Sequence, residues 1–181
     1  MANYIGNCIT PRVSSDHIAK VRVPAGGLTA GSLVFCEKLD AGIAGNLEVY
    51  EATKPLTANL GSKHLAMVVC GGFETLADGR RPAGQPDYTQ YTYAEDEIAD
   101  VVFVDPHLFF EIGVGDVTGG DATPANDVGK YIVPANNTFA GAVQAANANI
   151  GCSLKILAVR NFPVGGLYGG QFVTTYVCVA Q

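Results

Sequence analysis

Apolar residues in this chain come in short runs, and nearly every run is closed by glycine or proline, so no amphipathic helix of ordinary length has room to form. From His17 to Val23 the residues alternate. Ala19, Val21 and Val23 fall on one face and Lys20 and Arg22 on the other, before Pro24-Ala25-Gly26-Gly27 ends the run. Ser32–Cys36 and Leu47–Ala52 flank a glycine-rich turn around Gly42 and Gly45 and predict a hairpin. Leu65 to Cys70 is apolar at every position. The Gly71-Gly72-Phe73-Glu74 that follows favours a bulged strand buried on both faces over a short buried helix. Further strands are expected at Ile98–Val104, Phe109–Ile112 and Lys130–Val133. Near the end, Ile150, Cys152, Leu154, Ile156 and Ala158 share one face of a strand running to Phe162, and Val173, Thr175, Val177 and Val179 share one face of Gln171–Val179. The glycine-rich stretch 163–170 joins these two into a long-looped hairpin. The alanine-rich run Phe139–Asn149 has the composition for two helical turns, which Gly141, Asn147 and Asn149 weaken. The expected fold is therefore all-β, or mainly β with minor helix: a small β-barrel or sandwich with long loops.

The 181 residues suffice for one sizeable domain, and two segments stand apart from it. Residues 1–16 mix Tyr4, Ile5, Cys8 and Ile9 with polar residues and Pro11, which predicts an N-terminal arm with no strand of its own, leaving 17–181 as a single β-rich domain. A change of composition around 77–97 marks a long loop or insertion carrying Tyr88, Tyr91 and Tyr93. Only 15% of residues are charged, against roughly 25% in typical domains, so much of the surface is backbone, hydroxyl, amide and small apolar group, as in a protein meant to be partly covered. A net charge of -6 opposes a phosphate-binding surface, which argues against nucleic acid as the partner. No apolar run approaches the roughly 18 residues of a membrane span, and the first residues lack a basic-then-apolar leader pattern, so neither membrane insertion nor conventional secretion is expected. Five cysteines, Cys8, Cys36, Cys70, Cys152 and Cys178, are spread widely and mostly lie in apolar runs, which reads as reduced core thiols made in a reducing cytoplasm.

Catalytic chemistry finds little to build from. His17, His64 and His107 sit in no supporting motif and are read as surface or capping residues, so no catalytic residue is assigned. There is no C-x-x-C and no H-x-x-x-H, so no metal site and no cofactor is expected. Asp116, Asp121 and Asp127 share one glycine-rich connection where oxygen atoms could surround calcium, but the EF-hand order is missing and solvated turn aspartates are the simpler reading. Gly129-Lys130 and Gly113-Val114-Gly115 fail the phosphate-loop and dinucleotide patterns. Glu95, Asp96, Glu97 and Asp100 read as a solvated approach to a strand. The tyrosines are different: Tyr88, Tyr91 and Tyr93 offer rigid contact area for an interface loop, or else pin that loop to its own barrel.

Taken together, the polar N-terminal segment, the stretch Leu28-Thr29-Ala30-Gly31-Ser32-Leu33-Val34, the stretch from Leu65 to Glu74 and the Ala/Gly-rich remainder resemble the head decoration, or capsid cement, proteins of tailed bacteriophages. The resemblance implies a small β-barrel that sits, typically as a trimer, on the capsid exterior and bridges major capsid protein subunits. It implies a virion location after synthesis in the host cytoplasm, and an arm that clamps the lattice through residues such as Asn3, Tyr4, Ile5 and Ile9. A β-rich receptor- or glycan-binding module of a phage fibre or tail is the alternative, and a small β-barrel hydrolase a more distant one.

Overall fold

The computed structural model describes residues 4–10, 13–41, 49–56, 64–69, 91–146, 153–164 and 171–181. Its strands are β1 (Gly6–Cys8), β2 (Ile18–Arg22), β3 (Leu28–Thr29), β4 (Leu33–Leu39), β5 (Val49–Thr53), β6 (Leu65–Val68), β7 (Thr92–Tyr93), β8 (Ile98–Phe103), β9 (Phe109–Gly113), β10 (Val117–Thr118), β11 (Tyr131–Pro134), β12 (Gly141–Gln144), β13 (Leu154–Val164) and β14 (Gln171–Ala180). The protein is mostly β, as the short runs predict. Strands β2-β5-β4-β6-β8 close into a barrel, and β1-β9-β14-β13-β11-β12-β10 form a seven-stranded sheet. A two-stranded ribbon of β3 and β7 completes the set.

Alternation along the barrel strands explains how barrel and sheet share one core. Val34, Cys36, Ala66, Val68, Ala99 and Val101 point into the barrel with Val21, Val23 and Ala52. Five strands enclose a narrower lumen than the roughly eight that just accommodate ordinary packed side chains, so valine and alanine are the sizes that fit. Their neighbours Leu33, Phe35, Leu65, Met67, Val102 and Val104 point out of the barrel. There they meet Phe110, Ile112, Ile132, Leu154, Ile156, Tyr176 and Cys178 of the sheet. The unbroken apolar run at Leu65–Val68 is thus a strand buried on both faces, one in the lumen and one against the sheet. Each large side chain fully buried there contributes about 1.5–3 kcal/mol.

The N-terminal segment is not the detached arm that its polar residues suggest. Ile5 is fully buried, and β1 pairs antiparallel with β9, with Gly6 opposite Ile112 and Cys8 opposite Phe110. The pairing continues through Ile9, whose N–H reaches the Phe109 carbonyl at 2.9 Å. Gly6 permits this close approach: a Cβ there would lie 2.0 Å from the Gly31 nitrogen and 2.6 Å from the Val68 carbonyl oxygen. Both are backbone atoms of the barrel side, so β1, the edge strand of the sheet, packs directly against the barrel.

Other expectations need smaller corrections. Phe139–Asn149 holds a strand, not helical turns, since Gly141–Gln144 pairs with β11 and runs parallel to β10. A Cβ on Gly141 would come within 2.6 Å of Ile132, which is why a helix-weakening glycine stands there. In β13 the register shifts between Ile156 and Ala158, so Ala158 leaves the face of Leu154 and Ile156, and Val159, opposite Tyr176, takes its place. The valine stripe of β14 faces away from the barrel, while Tyr176, Cys178 and Ala180 supply the core. His17 ends a 3-10 turn, Ser15–His17, instead of opening the strand. The Ser32–Cys36 and Leu47–Ala52 pair does form antiparallel β4 and β5, with Phe35 opposite Thr53.

Candidate interaction surface

Of the tyrosines, Tyr88 lies outside the described residues, and the other two are engaged by the protein itself. Tyr91 and Tyr93 stack edge to face with centroids 5.0 Å apart. The Tyr91 hydroxyl donates to both Glu97 carboxylate oxygens at 2.9 Å, and this bond, with burial and the Glu97 charge, raises its pKa. Tyr93 sits on β7, opposite Leu28, and packs against the barrel core. Among the arm residues, Asn3 lies outside the described set, Tyr4 is half-buried, Ile5 is core and Ile9 is part of the ladder with Phe109.

Among the described residues several charged side chains pair with one another. Lys20 meets Asp100 at 2.7 Å, Arg22 meets Asp96 and Asp40, and the imidazole of His17 meets Asp105 at 2.6 Å. His64 packs edge to face on Phe103, and His107 occupies a left-handed turn at φ 73°. The three glycine-loop aspartates do not converge. Asp116 accepts the Ile5 N–H at 3.0 Å, and Asp121 accepts the Thr123 N–H and the Asn126 amide. Fully buried Asp127 accepts the Tyr176 hydroxyl, the Asp121 N–H and the Lys130 ammonium at 2.5, 2.8 and 2.7 Å. Burial alone would push the Asp127 carboxyl up, but these three donors outweigh it and hold the group below the usual carboxylate range. Among the described residues no three His, Cys, Asp or Glu side chains gather as a metal site would require. Two residues that the patterns of single strands did not single out form a second buried network. Glu111 on β9, fully buried, accepts the Thr175 hydroxyl at 2.7 Å and the Arg160 guanidinium through both oxygens. A charged residue in the middle of the apolar run Phe109–Ile112 was its only trace in the sequence.

What the molecule offers outward is the end of the β13–β14 hairpin. These strands stay paired from Leu154 opposite Ala180 to Val164 opposite Gln171. Their neighbours stop early: β11 pairs only with Leu154 and Lys155, and β9 reaches no further than Thr175. The Ile156 backbone is still bonded to Gly129 and Lys130, but among the described residues no other strand pairs with β13 beyond it or with β14 before Thr175, so among these residues both edges of the ribbon lack a strand neighbour there. Phe172 lies on the side of β14 that further along buries Tyr176 and Cys178, but is itself 66% exposed. Leu157, set off by the bulge, is also exposed.

No protein family's sequence pattern, no curated protein and no solved structure matches the chain.

Proposed function

We propose that this chain is a structural virion protein that binds the outer surface of a phage capsid and stabilises it, with the β13–β14 ribbon as its contact element. The observation that carries this reading is the ribbon itself. It presents two strand edges and the bare ring of Phe172 on a scaffold that is poor in charge, with several of the described charges paired within the chain. Strand edges supply main-chain hydrogen bonds to a lattice strand, and an aromatic ring supplies the anchor that fills a pocket. The partner in this reading is the major capsid protein, with a homotrimer as the decorating unit. The clamp moves from the N-terminal segment to the ribbon, because Ile5 is committed to the core. A fibre or tail module that binds a receptor through its tyrosines fits less well, since Tyr91 and Tyr93 face Glu97, each other and the barrel.

The test mixes purified protein with undecorated capsids of the parent phage. The expected result is added density at fixed lattice positions and a higher capsid melting temperature, both lost in Phe172→Asp while the free variant melts as the parent does. Wild-type protein that adds no density and leaves capsid melting unchanged overturns the capsid reading. Binding that survives Phe172→Asp overturns the ribbon assignment alone.

A further inference from the structure

At the seam where β1 meets the barrel lies a cavity of about 300 Å³, walled by pieces of chain that are far apart in sequence. Its volume is at the small end of ligand sites, which form preferentially where substructures meet. Tyr4 and Phe139 supply aromatic rings to its lining, Thr29, Ser32 and Thr92 supply hydroxyls, and Asp116 supplies the one carboxyl. Asp116 ends the 3-10 turn Val114–Asp116 that follows β9, and the backbone holds it by one oxygen, since Oδ2 accepts the Ile5 N–H at 3.0 Å. The glycine at 113 makes room for that oxygen, which stands where a side chain there would go. Oδ1 has no hydrogen-bond partner among the described residues, and it is open to solvent. No lysine, arginine or histidine lines the cavity. None of the lining side chains is an obligate donor, because a carboxylate only accepts and a hydroxyl does either. Lys54 stands outside the lining, its ammonium 5.7 Å from the centroid of the Phe139 ring.

We propose that this cavity binds a ligand carrying a primary ammonium on a short apolar stem, with Asp116 as its counter-ion. An ammonium has three donors and no acceptor, which complements a wall offering a carboxylate oxygen and the hydroxyl oxygens of Thr29, Ser32 and Thr92. The aromatic rings of Tyr4 and Phe139 suit both the stem and the positive charge, and Phe139 already carries the Lys54 ammonium in this manner. An anion would meet the carboxylate with no lining cation to offset the repulsion, and the net charge of -6 adds to that bias. A sugar would use the hydroxyls but leave the carboxylate without a counter-charge. Burial pushes the Asp116 carboxyl up to about 7, and a neighbouring cation acts against this by favouring the ionised form. The site shares no residue with the β13–β14 ribbon and does not rest on the capsid reading.

The test is an amide NMR titration of the intact protein at pH 8 and constant ionic strength, followed at Thr92, Gly115 and Asp116. The probes are n-butylammonium, N-acetyl-lysine methylamide, uncharged 1-butanol and glucose. The expected result is saturable shifts with n-butylammonium at a Kd of about 1 mM, within reach of so small a ligand. Affinity should fall by about 10- to 100-fold in Asp116→Asn, which keeps an acceptor but not the charge. Binding of the lysine analogue as well marks a site for a protein side chain, and binding of n-butylammonium without it marks a site for free amines; both support the proposal. Butanol binding as tightly as n-butylammonium overturns it, as does glucose binding in place of the ammonium, or no saturation by n-butylammonium up to about 50 mM. Undiminished affinity in Asp116→Asn overturns it too. Should that variant not fold, Gly115→Leu decides, because Gly115 lines the cavity and a Cβ there meets nothing within 4 Å. Loss of binding in Gly115→Leu with melting unchanged supports the site, and full affinity in that variant overturns it.

Discussion

Replacing Gly6 with alanine tests whether the N-terminal strand belongs to the fold. The added Cβ would sit 2.0 Å from the Gly31 nitrogen, 2.6 Å from the Val68 oxygen and 2.7 Å from the Gly31 Cα. All three are backbone atoms, so no rotamer change relieves the contact. The chain can strain the seam or release β1, and the cheaper route sets the cost. Release exposes Ile5, whose burial contributes about 2–3 kcal/mol. It also breaks the hydrogen bonds from Ile5 to Asp116, Gly113 to Ile5 and Ile9 to Phe109, each about 1 kcal/mol net. Backbone freedom regained by the released residues, at roughly 1–2 kcal/mol each, offsets most of this. By either route the expected loss is about 1–3 kcal/mol, the usual cost of an overpacked contact, which for a chain of this size lowers Tm by roughly 2–12 °C. Calorimetry and urea titration measure it, with Gly115→Ala as control because a Cβ there meets nothing within 4 Å. The control should change stability by less than about 1 kcal/mol. A Gly6→Ala protein that melts with Gly115→Ala would refute the docked strand and restore the free arm.

The two buried carboxylates predict further outcomes. Arg160→Ala leaves fully buried Glu111 with the Thr175 hydroxyl but without its cation, and because the arginine side chain is itself 49% exposed the expected loss is about 1–3 kcal/mol by urea titration. Tyr176→Phe removes one of the donors that hold Asp127 ionised and should cost about 1–3 kcal/mol at pH 7. Because a depressed carboxylate stabilises the fold above its unfolded pKa and loses that effect as pH falls, the gap between Tyr176→Phe and wild type should close below about pH 4. A gap that stays constant with pH would mean that the hydroxyl acts through packing alone.

Strand identity was legible wherever it depended on neighbours in sequence. The alternation at Ala19, Val21 and Val23, the two-faced run at Leu65–Val68 and the late hairpin all reappear in the fold, because a strand's faces are set by a period of two and need no distant partner to be read. The site was less legible, since each of its parts depends on a long-range meeting. Ile5 and Asp116 are 111 positions apart, Tyr176 and Asp127 are 49, and Glu111 and Arg160 are also 49. Polar composition marked residues 1–16 as an arm, but a single isoleucine and a glycine, at Ile5 and Gly6, suffice to dock it once barrel and sheet stand side by side. The bulge that turns Ala158 outward is set by pairing with Val177 and could not be read from β13 alone. By itself, then, the sequence determined a β-rich chain of low charge with no concentrated catalytic motif, since composition and short-range period are local properties. The tertiary structure decided that the barrel closes, that the first strand is core, and that the hairpin outruns its neighbours, because each of these is a matter of which edges and faces find a partner across the chain.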